Sequence, residues 1–203
     1  MKKFIILTTI ICLGSFATTY AQKGSSFFGL SWEVAKPSNN PYLSKTSWAG
    51  GRIEYRHMIK STLSLGIGMS WNSFDEYVGS KTYTGNNTGS AVTTDMVRQI
   101  YTLPITALIH YYPHTNNKNI KPYVGIGLGA QYAEQNSYFN IYQVSNNTWG
   151  FVMRPEVGAN FMIASELSIM AGIHYQWASN KNEGLGMNSL SQFGFNLGLG
   201  WKL

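Results

Sequence analysis

Apolar and polar residues alternate along most of the chain, with the period of two that is typical of β-strands. The clearest example is the segment 192–203. Its bulky apolar residues are Phe193, Phe195, Leu197, Leu199, Trp201 and Leu203, and small or polar residues separate them. Because successive side chains leave a strand on opposite faces, this segment predicts a strand with one apolar and aromatic face.

Seven further segments show the same alternation. They predict strands at about 27–36, 48–58, 63–72, 96–111, 122–133, 151–161 and 167–177. Long polar connections at 37–47, 73–93, 134–148 and 178–190 alternate with short ones near 60, at 113–119 and at 164–166. Pro104 predicts a bulge or irregular pairing in the fourth strand, since it lacks a backbone donor. The order predicts an all-β, antiparallel up-and-down meander of eight strands, with the long loops at one end.

The first 21 residues have the features of a secretory signal peptide. Lys2 and Lys3 precede an apolar run at 4–13, and small or polar residues lead to Ala21. The run is shorter than the ~20 residues that a membrane-spanning helix requires. We therefore expect export with cleavage near Ala21, so that residues 1–21 form the signal peptide and residues 22–203 form one β-barrel domain.

Composition favours a membrane-facing β protein. Charged residues make up 12% of the chain and aromatic residues 14%, and there are 21 glycines. The single cysteine, Cys12, lies in the leader, so the mature chain is expected to have no disulfide. The net charge of +6 falls to +4 without Lys2 and Lys3, and no basic patch predicts a nucleic-acid partner.

The two faces of the strands differ in a way that predicts their orientation. A soluble lipocalin-type barrel would bury the apolar face and expose a charged wall to water. Here the other face consists mainly of Gly, Ser, Asn and Thr, which carries too few charges for the outer surface of a soluble barrel. Trp and Tyr near the strand ends are typical of the aromatic girdles of membrane barrels. We therefore expect the apolar face to point outward, towards lipid.

The charged residues within the strands share the face that is expected to point inward. Arginine favours confined ion pairs because its planar fork binds carboxylates at two points. An ion-paired plug in a narrow lumen is the favoured interpretation, with scattered charges in a wet lumen as the alternative. The proposed interior charge cluster consists of Glu33, Arg52, Glu54, Arg56, Arg98, Arg154 and Glu156. Within it, Glu33 is expected to approach Arg52 across the first pair of strands.

No segment predicts catalytic, cofactor-binding or metal-binding residues. No His, Cys or Asp cluster has metal-ligand spacing, and there is no phosphate-binding loop. His174 is an isolated histidine on the inward face, and Ser179 is misplaced for a His–Ser pair on a lipid-facing strand. The chain is therefore expected to be non-enzymatic.

Three motifs carry a family resemblance: Tyr-Thr-Leu-Pro-Ile at 101–105, Pro-Tyr-Val-Gly-Ile-Gly-Leu-Gly at 122–129, and the closing segment 194–203. With the strand pattern from about Phe27 onward, they resemble the small OmpA-like and OmpX-like outer-membrane β-barrel proteins, often called porin-family proteins. The resemblance implies a transmembrane barrel in the Gram-negative cell envelope, surrounded by lipid and lipopolysaccharide. It also implies assembly by the barrel-assembly machinery through the C-terminal strand, although Leu203 replaces the usual terminal Phe.

Three functions follow from this interpretation. The leading one is a non-enzymatic outer-membrane protein that stabilises the membrane or presents four external loops to an unidentified surface ligand. The second is a small pore or passage for small or hydrophobic solutes, which eight strands disfavour because side chains fill so narrow an interior. The third is an enzyme that modifies lipid A, which the position of His174 disfavours.

The alternation of long loops and short turns generates a test of topology. Single cysteines at Asn86 or Tyr142, in long loops, should react with an impermeant thiol reagent on intact cells. A cysteine at Asn117, in a short turn, should react only after the outer membrane is opened. The mature chain offers no competing thiol, and exclusive labelling at Asn117 would invert the assigned topology.

Overall fold

Eight antiparallel strands form a closed barrel in the computed structural model, which describes residues 24–38, 40, 42–84, 91–117, 119–139, 142–182 and 187–203. The signal peptide and the cleavage position near Ala21 lie outside these residues. Among the described residues, no helix is long and apolar enough to cross a membrane. The strands are β1 (Ser26–Ser38), β2 (Ser47–Lys60), β3 (Leu63–Thr84), β4 (Ala91–Tyr111), β5 (Ile120–Phe139), β6 (Tyr142–Met162), β7 (Leu167–Ala178) and β8 (Leu190–Lys202).

The barrel closes because the first and last strands pair with each other. Each strand pairs with its neighbour in the chain, and β1 pairs with β8 from Phe27↔Lys202 to Ser38↔Ser191. Closure leaves the strands of the barrel wall without a free edge, so their backbone groups are hydrogen-bonded without water. The predicted eight-stranded up-and-down meander is confirmed, and we call its two ends the loop end and the turn end.

The orientation of the two faces is also as predicted. Along β8 the side chains of Phe193, Phe195 and Leu197 are exposed on the outside of the barrel, whereas Gln192 and Asn196 are buried inside it. Aromatic rings pair near both ends of the wall. Phe28 lies 6.2 Å from Trp201 at the turn end, and the rings of Trp32 and Trp48 are stacked at 6.0 Å nearer the loop end.

Four strands are longer than the sequence predicts. The segments 73–93 and 134–148, predicted as loops, are mostly parts of β3, β4, β5 and β6. The prediction failed because these segments are polar on both faces and therefore lack the alternation that marks a half-buried strand. Their hairpin hydrogen bonds require no continuous apolar face, because only inward side chains near the wall, such as Phe74 and Ile100, are buried, and the outer parts of the hairpins meet water.

These extensions form a four-stranded sheet that rises above the loop end. The pairing of β2 with β3 ends at Gly51↔Trp71, and that of β6 with β7 begins at Val152↔Ala178. Beyond those points β3, β4, β5 and β6 pair only with one another. We call residues 73–84, 91–101, 134–139 and 142–147 the protruding sheet; its two edges belong to β3 and β6.

Pro104 causes irregular pairing on one side of β4 only. It pairs with Gln131 of β5, whereas the β3 ladder skips from Met69↔Ile105 to Asn72↔Thr102 without a change of register. The bulge allowed by the sequence is absent there. The register of the β3–β4 pair shifts instead between Val78 and Lys81, in the protruding sheet.

The outward face generates a prediction about Leu197, which is 43% exposed in the middle of β8. Leu197→Arg places a guanidinium near the bilayer midplane and should lower the free energy of unfolding by ~2–4 kcal/mol. Leu203→Arg, the same change beyond the end of the strand, should cost at most about 1 kcal/mol. Denaturant titration in lipid vesicles measures both. Equal losses would contradict a lipid-facing Leu197.

Candidate functional site: the charged interior

Six of the seven predicted cluster residues lie buried together in the middle of the lumen: Glu33, Arg52, Glu54, Arg56, Arg154 and Glu156. We call these six residues the interior cluster. One bidentate ion pair crosses the barrel. Arg52 of β2 donates from both terminal nitrogens to Glu156 of β6, at 2.6 and 3.2 Å. Strands β2 and β6 lie on opposite sides of the ring, so this pair joins opposite walls.

A second ion pair joins β1 to β6. Arg154 donates to Glu33 Oε2 at 2.5 Å and also to the hydroxyl of Ser70 at 3.0 Å and to Gln176 Oε1 at 3.3 Å. Asn72 donates to the other oxygen of Glu33 at 2.7 Å. Hydrogen bonds from four strands therefore meet at this pair.

Arg56 completes the cluster on the side of the turn end. Its guanidinium bonds to Glu54, and the second oxygen of that carboxylate lies 2.8 Å from Arg52. The guanidinium carbon also lies 4.6 Å from the ring of Tyr123 and 5.6 Å from that of Phe27, as in cation–π contacts. Glu54 thus links two arginines of its own strand.

Two expectations about this site do not match the structure. The contacts of Glu33 are with Arg154 rather than with Arg52, because the fork of Arg52 reaches across the lumen to Glu156. Arg98 faces inward but lies nearer the loop end, where it donates to the backbone oxygen of Tyr42 at 3.1 Å and stacks over the Tyr42 ring at 4.9 Å. Arg98 is therefore not part of the interior cluster.

Two histidines that sequence reasoning left out belong to the same site. His110 Nε2 lies 2.5 Å from Glu156, and His174 Nδ1 lies 3.0 Å from Arg154. An arginine can only donate, so Nδ1 of His174 must accept, which requires a neutral imidazole. The neutral His174 imidazole adds no charge to the three carboxylates and three guanidinium groups of the interior cluster. Both histidines occupy inward positions in the alternation of their strands, and this pattern could have assigned them to the cluster.

Glycines provide the space for the rings in this narrow lumen. A Cβ atom on Gly125 would overlap the ring of His110, and one on Gly194 would overlap the ring of His174. Gly127 lies similarly close to Leu108, where a Cβ would come within 3.2 Å. The inward glycines at these positions therefore accommodate imidazoles and a leucine.

The loop-end half of the lumen is filled by amides and apolar side chains. A chain of hydrogen bonds runs from Arg154 through Gln176 and Gln131 to Asn180, with donor–acceptor distances of 3.3, 2.6 and 3.1 Å. Beside it lies a buried apolar group to which the first and last loops contribute. Its members are Ala35, Tyr42, Leu43, Phe74, Ile100, Ala133, Val152, Ala178, Met187 and Leu190.

The site is a network of ion pairs and hydrogen bonds. In the part of the chain that the structure describes, no three His, Cys, Asp or Glu side chains are arranged to hold a metal ion. Carboxylates, guanidinium groups and imidazoles face one another from β1, β2, β4, β6 and β7. Such an arrangement ties the walls together and occupies the space along the barrel axis.

Comparison with protein families identifies the class of barrel. The family described as "Outer membrane protein beta-barrel domain" matches residues 6–202. No curated protein matches the sequence significantly.

Solved structures of small outer-membrane barrels share the fold. The Neisserial surface protein A is 15% identical with a TM-score of 0.57, over 88% of this chain and 97% of that one. A major outer membrane protein of Thermus thermophilus is 12% identical with a TM-score of 0.53, over 88% and 99% of the two chains. The attachment invasion locus protein Ail of Yersinia pestis is 15% identical with a TM-score of 0.50, over 89% and 97%. At these identities the similarity concerns the fold alone.

The interior cluster generates a double-mutant prediction. Glu33→Met or Arg154→Met alone leaves the charge of the other residue buried without its partner, and should lower the free energy of unfolding by about 3–5 kcal/mol. The double variant removes both charges and should cost clearly less than the sum of the two single changes. Tryptophan fluorescence during denaturant titration in vesicles measures the cycle.

Arg98→Met is the matched control, because Arg98 contacts Tyr42 rather than a carboxylate. The Arg98→Met change should lower the free energy of unfolding by only about 1–2 kcal/mol, because it removes one hydrogen bond and one cation–π contact. Additive effects of the Glu33 and Arg154 changes would show that the two charges do not depend on each other.

Proposed function

The chain belongs to the family of outer-membrane protein β-barrel domains, and from this premise we propose that it is a sealed, non-enzymatic barrel that anchors a recognition surface. Proteins of this family lie in the outer membrane, among lipid and lipopolysaccharide. The observation that carries the proposal is the filled lumen: charged, amide and apolar side chains succeed one another along its axis.

The interior cluster is the first element of the seal. The Arg52–Glu156 and Arg154–Glu33 pairs cross the lumen, so a permeating ion would have to displace hydrogen-bonded partners on opposite walls. Separating such a pair leaves two buried charges without compensation, at a cost of several kcal/mol. An eight-stranded barrel offers little other space for a passage.

The first loop supplies a second element at the loop end. The hydroxyl of Tyr42 lies 2.5 Å from that of Ser137 and donates to the backbone oxygen of Asn136 at 3.1 Å. The backbone nitrogen of Ser44 donates to Glu76 at 2.7 Å. These contacts hold Tyr42 and Leu43 inside the apolar group, where they cover the amides below.

The protruding sheet is the proposed recognition surface. Tyr142 and Tyr77 are 71% and 65% exposed, so these rings are accessible to a ligand. Among the described residues, the β6 edge at 142–147 has no neighbouring strand on its outer side, so its backbone groups can pair with an extended partner segment. An unidentified protein or glycan outside the cell is the expected class of ligand.

The route into the membrane is also part of the proposal. Strand β8 carries the regular outward series of apolar side chains and pairs with β1 in the finished barrel. We infer that the barrel-assembly machinery recognises this strand before the barrel closes.

Planar-bilayer recording tests the seal. The unmodified mature protein should give no sustained unit conductance, because the charged groups occupy the axis of the lumen. Arg52→Ser combined with Arg154→Ser removes two long side chains and leaves Glu33 and Glu156 without a guanidinium partner, while Glu54 keeps Arg56. That variant should be less stable and should admit small, cation-preferring currents.

Lys45→Ser combined with Lys81→Ser is the matched control, since both lysines are exposed and lie away from the lumen. It should remain silent. Sustained, large conductance of the unmodified protein would reject the seal and favour a pore or a passage for small solutes.

A further inference from the structure

A cavity of about 490 Å³ opens at the turn end, away from the protruding sheet and below the interior cluster. Its volume lies in the range of small-molecule sites, ~300–1,000 Å³. Phe27 and Tyr112 line it, and both also contact Arg56: the Tyr112 hydroxyl accepts a hydrogen bond at 3.1 Å and the Phe27 ring lies 5.6 Å away. These two rings separate the cavity from the interior cluster.

The mouth of the cavity is cationic. Lys60, Lys121 and Lys202, from the turn ends of β2, β5 and β8, all line it, as does His114. None of the described residues that line it is acidic. Glu166 lies near Lys202, whose backbone nitrogen donates to the Glu166 carbonyl at 2.7 Å, but the Glu166 side chain is exposed and does not line the cavity. An anionic group at the mouth would therefore meet three ammonium groups from three directions.

A buried polar atom in the wall lacks a partner. Asn160 is only 4% exposed, lines the cavity, and its Oδ1 makes no hydrogen bond. Asn160 pairs with Lys121 across the β5–β6 ladder, so both residues start from the same level of the barrel wall. Leaving a buried acceptor unpaired costs free energy, which a ligand with a hydroxyl donor would recover.

Part of the remaining wall is apolar. Met58, Ile59, Pro113 and Met162 line the cavity together with the Phe27 ring, and Ser25, Ser26, Ser61, Thr62 and Thr115 also line it. Methionine side chains adapt to irregular apolar ligands because they are unbranched and flexible. An inorganic anion would use the lysines and leave this apolar wall in contact with water.

We propose that the turn-end cavity binds a single-chain anionic amphiphile whose head group also carries a hydroxyl, such as a monoacylated glycerol phosphate. The phosphate meets the lysines at the mouth, the hydroxyl donates to Asn160, and the acyl chain lies against the methionines and Phe27. The cavity and the loop end are separated by the interior cluster, so this binding is independent of the recognition surface and of the seal.

The test uses the mature protein in nanodiscs of zwitterionic lipid, with ¹³C-methyl methionine as the reporter. Titration with 1-octanoylglycerol 3-phosphate should shift Met58 and Met162 saturably, and leave Met69 and Met153, which face outward, unchanged. Octyl phosphate, which lacks the hydroxyl, should bind roughly tenfold more weakly. 1-Octanoylglycerol, which lacks the charge, and inorganic phosphate, which lacks the chain, should both be weaker still.

Two variants locate the contacts. The triple change Lys60→Gln, Lys121→Gln and Lys202→Gln should weaken binding at least about tenfold, since it removes the ammonium groups. The same three-charge change at Lys36, Lys45 and Lys81, exposed and remote from the cavity, should have no effect. Asn160→Leu should abolish the preference for 1-octanoylglycerol 3-phosphate over octyl phosphate.

Four results would overturn the proposal. Equal shifts at Met69 and Met153 would indicate partition into the bilayer, and equal affinity for inorganic phosphate would indicate a simple anion site. Unchanged binding by the triple lysine variant would show that these lysines do not contact the head group. Stronger displacement by a glutamate-rich peptide at the same methionines would assign the cavity to a protein partner.

Discussion

The structure depends on one constraint: the bilayer core offers no water to hydrogen-bond a free backbone group. An open sheet would leave two edges of unpaired N–H and C=O groups in hydrocarbon, at several kcal/mol for each group. The pairing of β1 with β8 removes both edges within the wall. Where the strands rise beyond the wall, water satisfies the backbone, and no described strand pairs with the outer edges of β3 and β6 in the protruding sheet.

Closure at eight strands then determines the interior. The lumen is too narrow for bulk water, so polar side chains inside it must find partners in one another. Three arginines and three glutamates do so with matched charge, and two histidines and several amides extend the network. Small residues are as important as charged ones here, because glycines at positions such as Gly125 and Gly194 provide the volume that the imidazole rings occupy.

The two ends of the barrel have different chemistry because different segments cover them. At the loop end, Tyr42 and Leu43 fold inward and bury an apolar group, while the long hairpins present tyrosines to solvent. At the turn end the connections are short, and the described residues leave a mouth with lysines around it and Asn160 in its wall. The proposed recognition surface and the proposed amphiphile site therefore lie on opposite sides of a filled lumen.

The sequence by itself determined the wall of this barrel. Alternation along segments such as 192–203 predicted the strands, their orientation and the inward parity of the charged residues, because a bilayer and a narrow lumen impose opposite polarity on the two faces. It did not determine the protruding sheet, since strands whose outer parts meet water on both faces carry no regular alternation. Nor did it determine which charges pair: Glu33 meets Arg154, and Arg98 stacks on Tyr42, because closure and the stagger of the strands bring together residues far apart in the chain. Alternation along a strand indicates the face on which a side chain lies. Only the closed barrel decides which side chain lies opposite it.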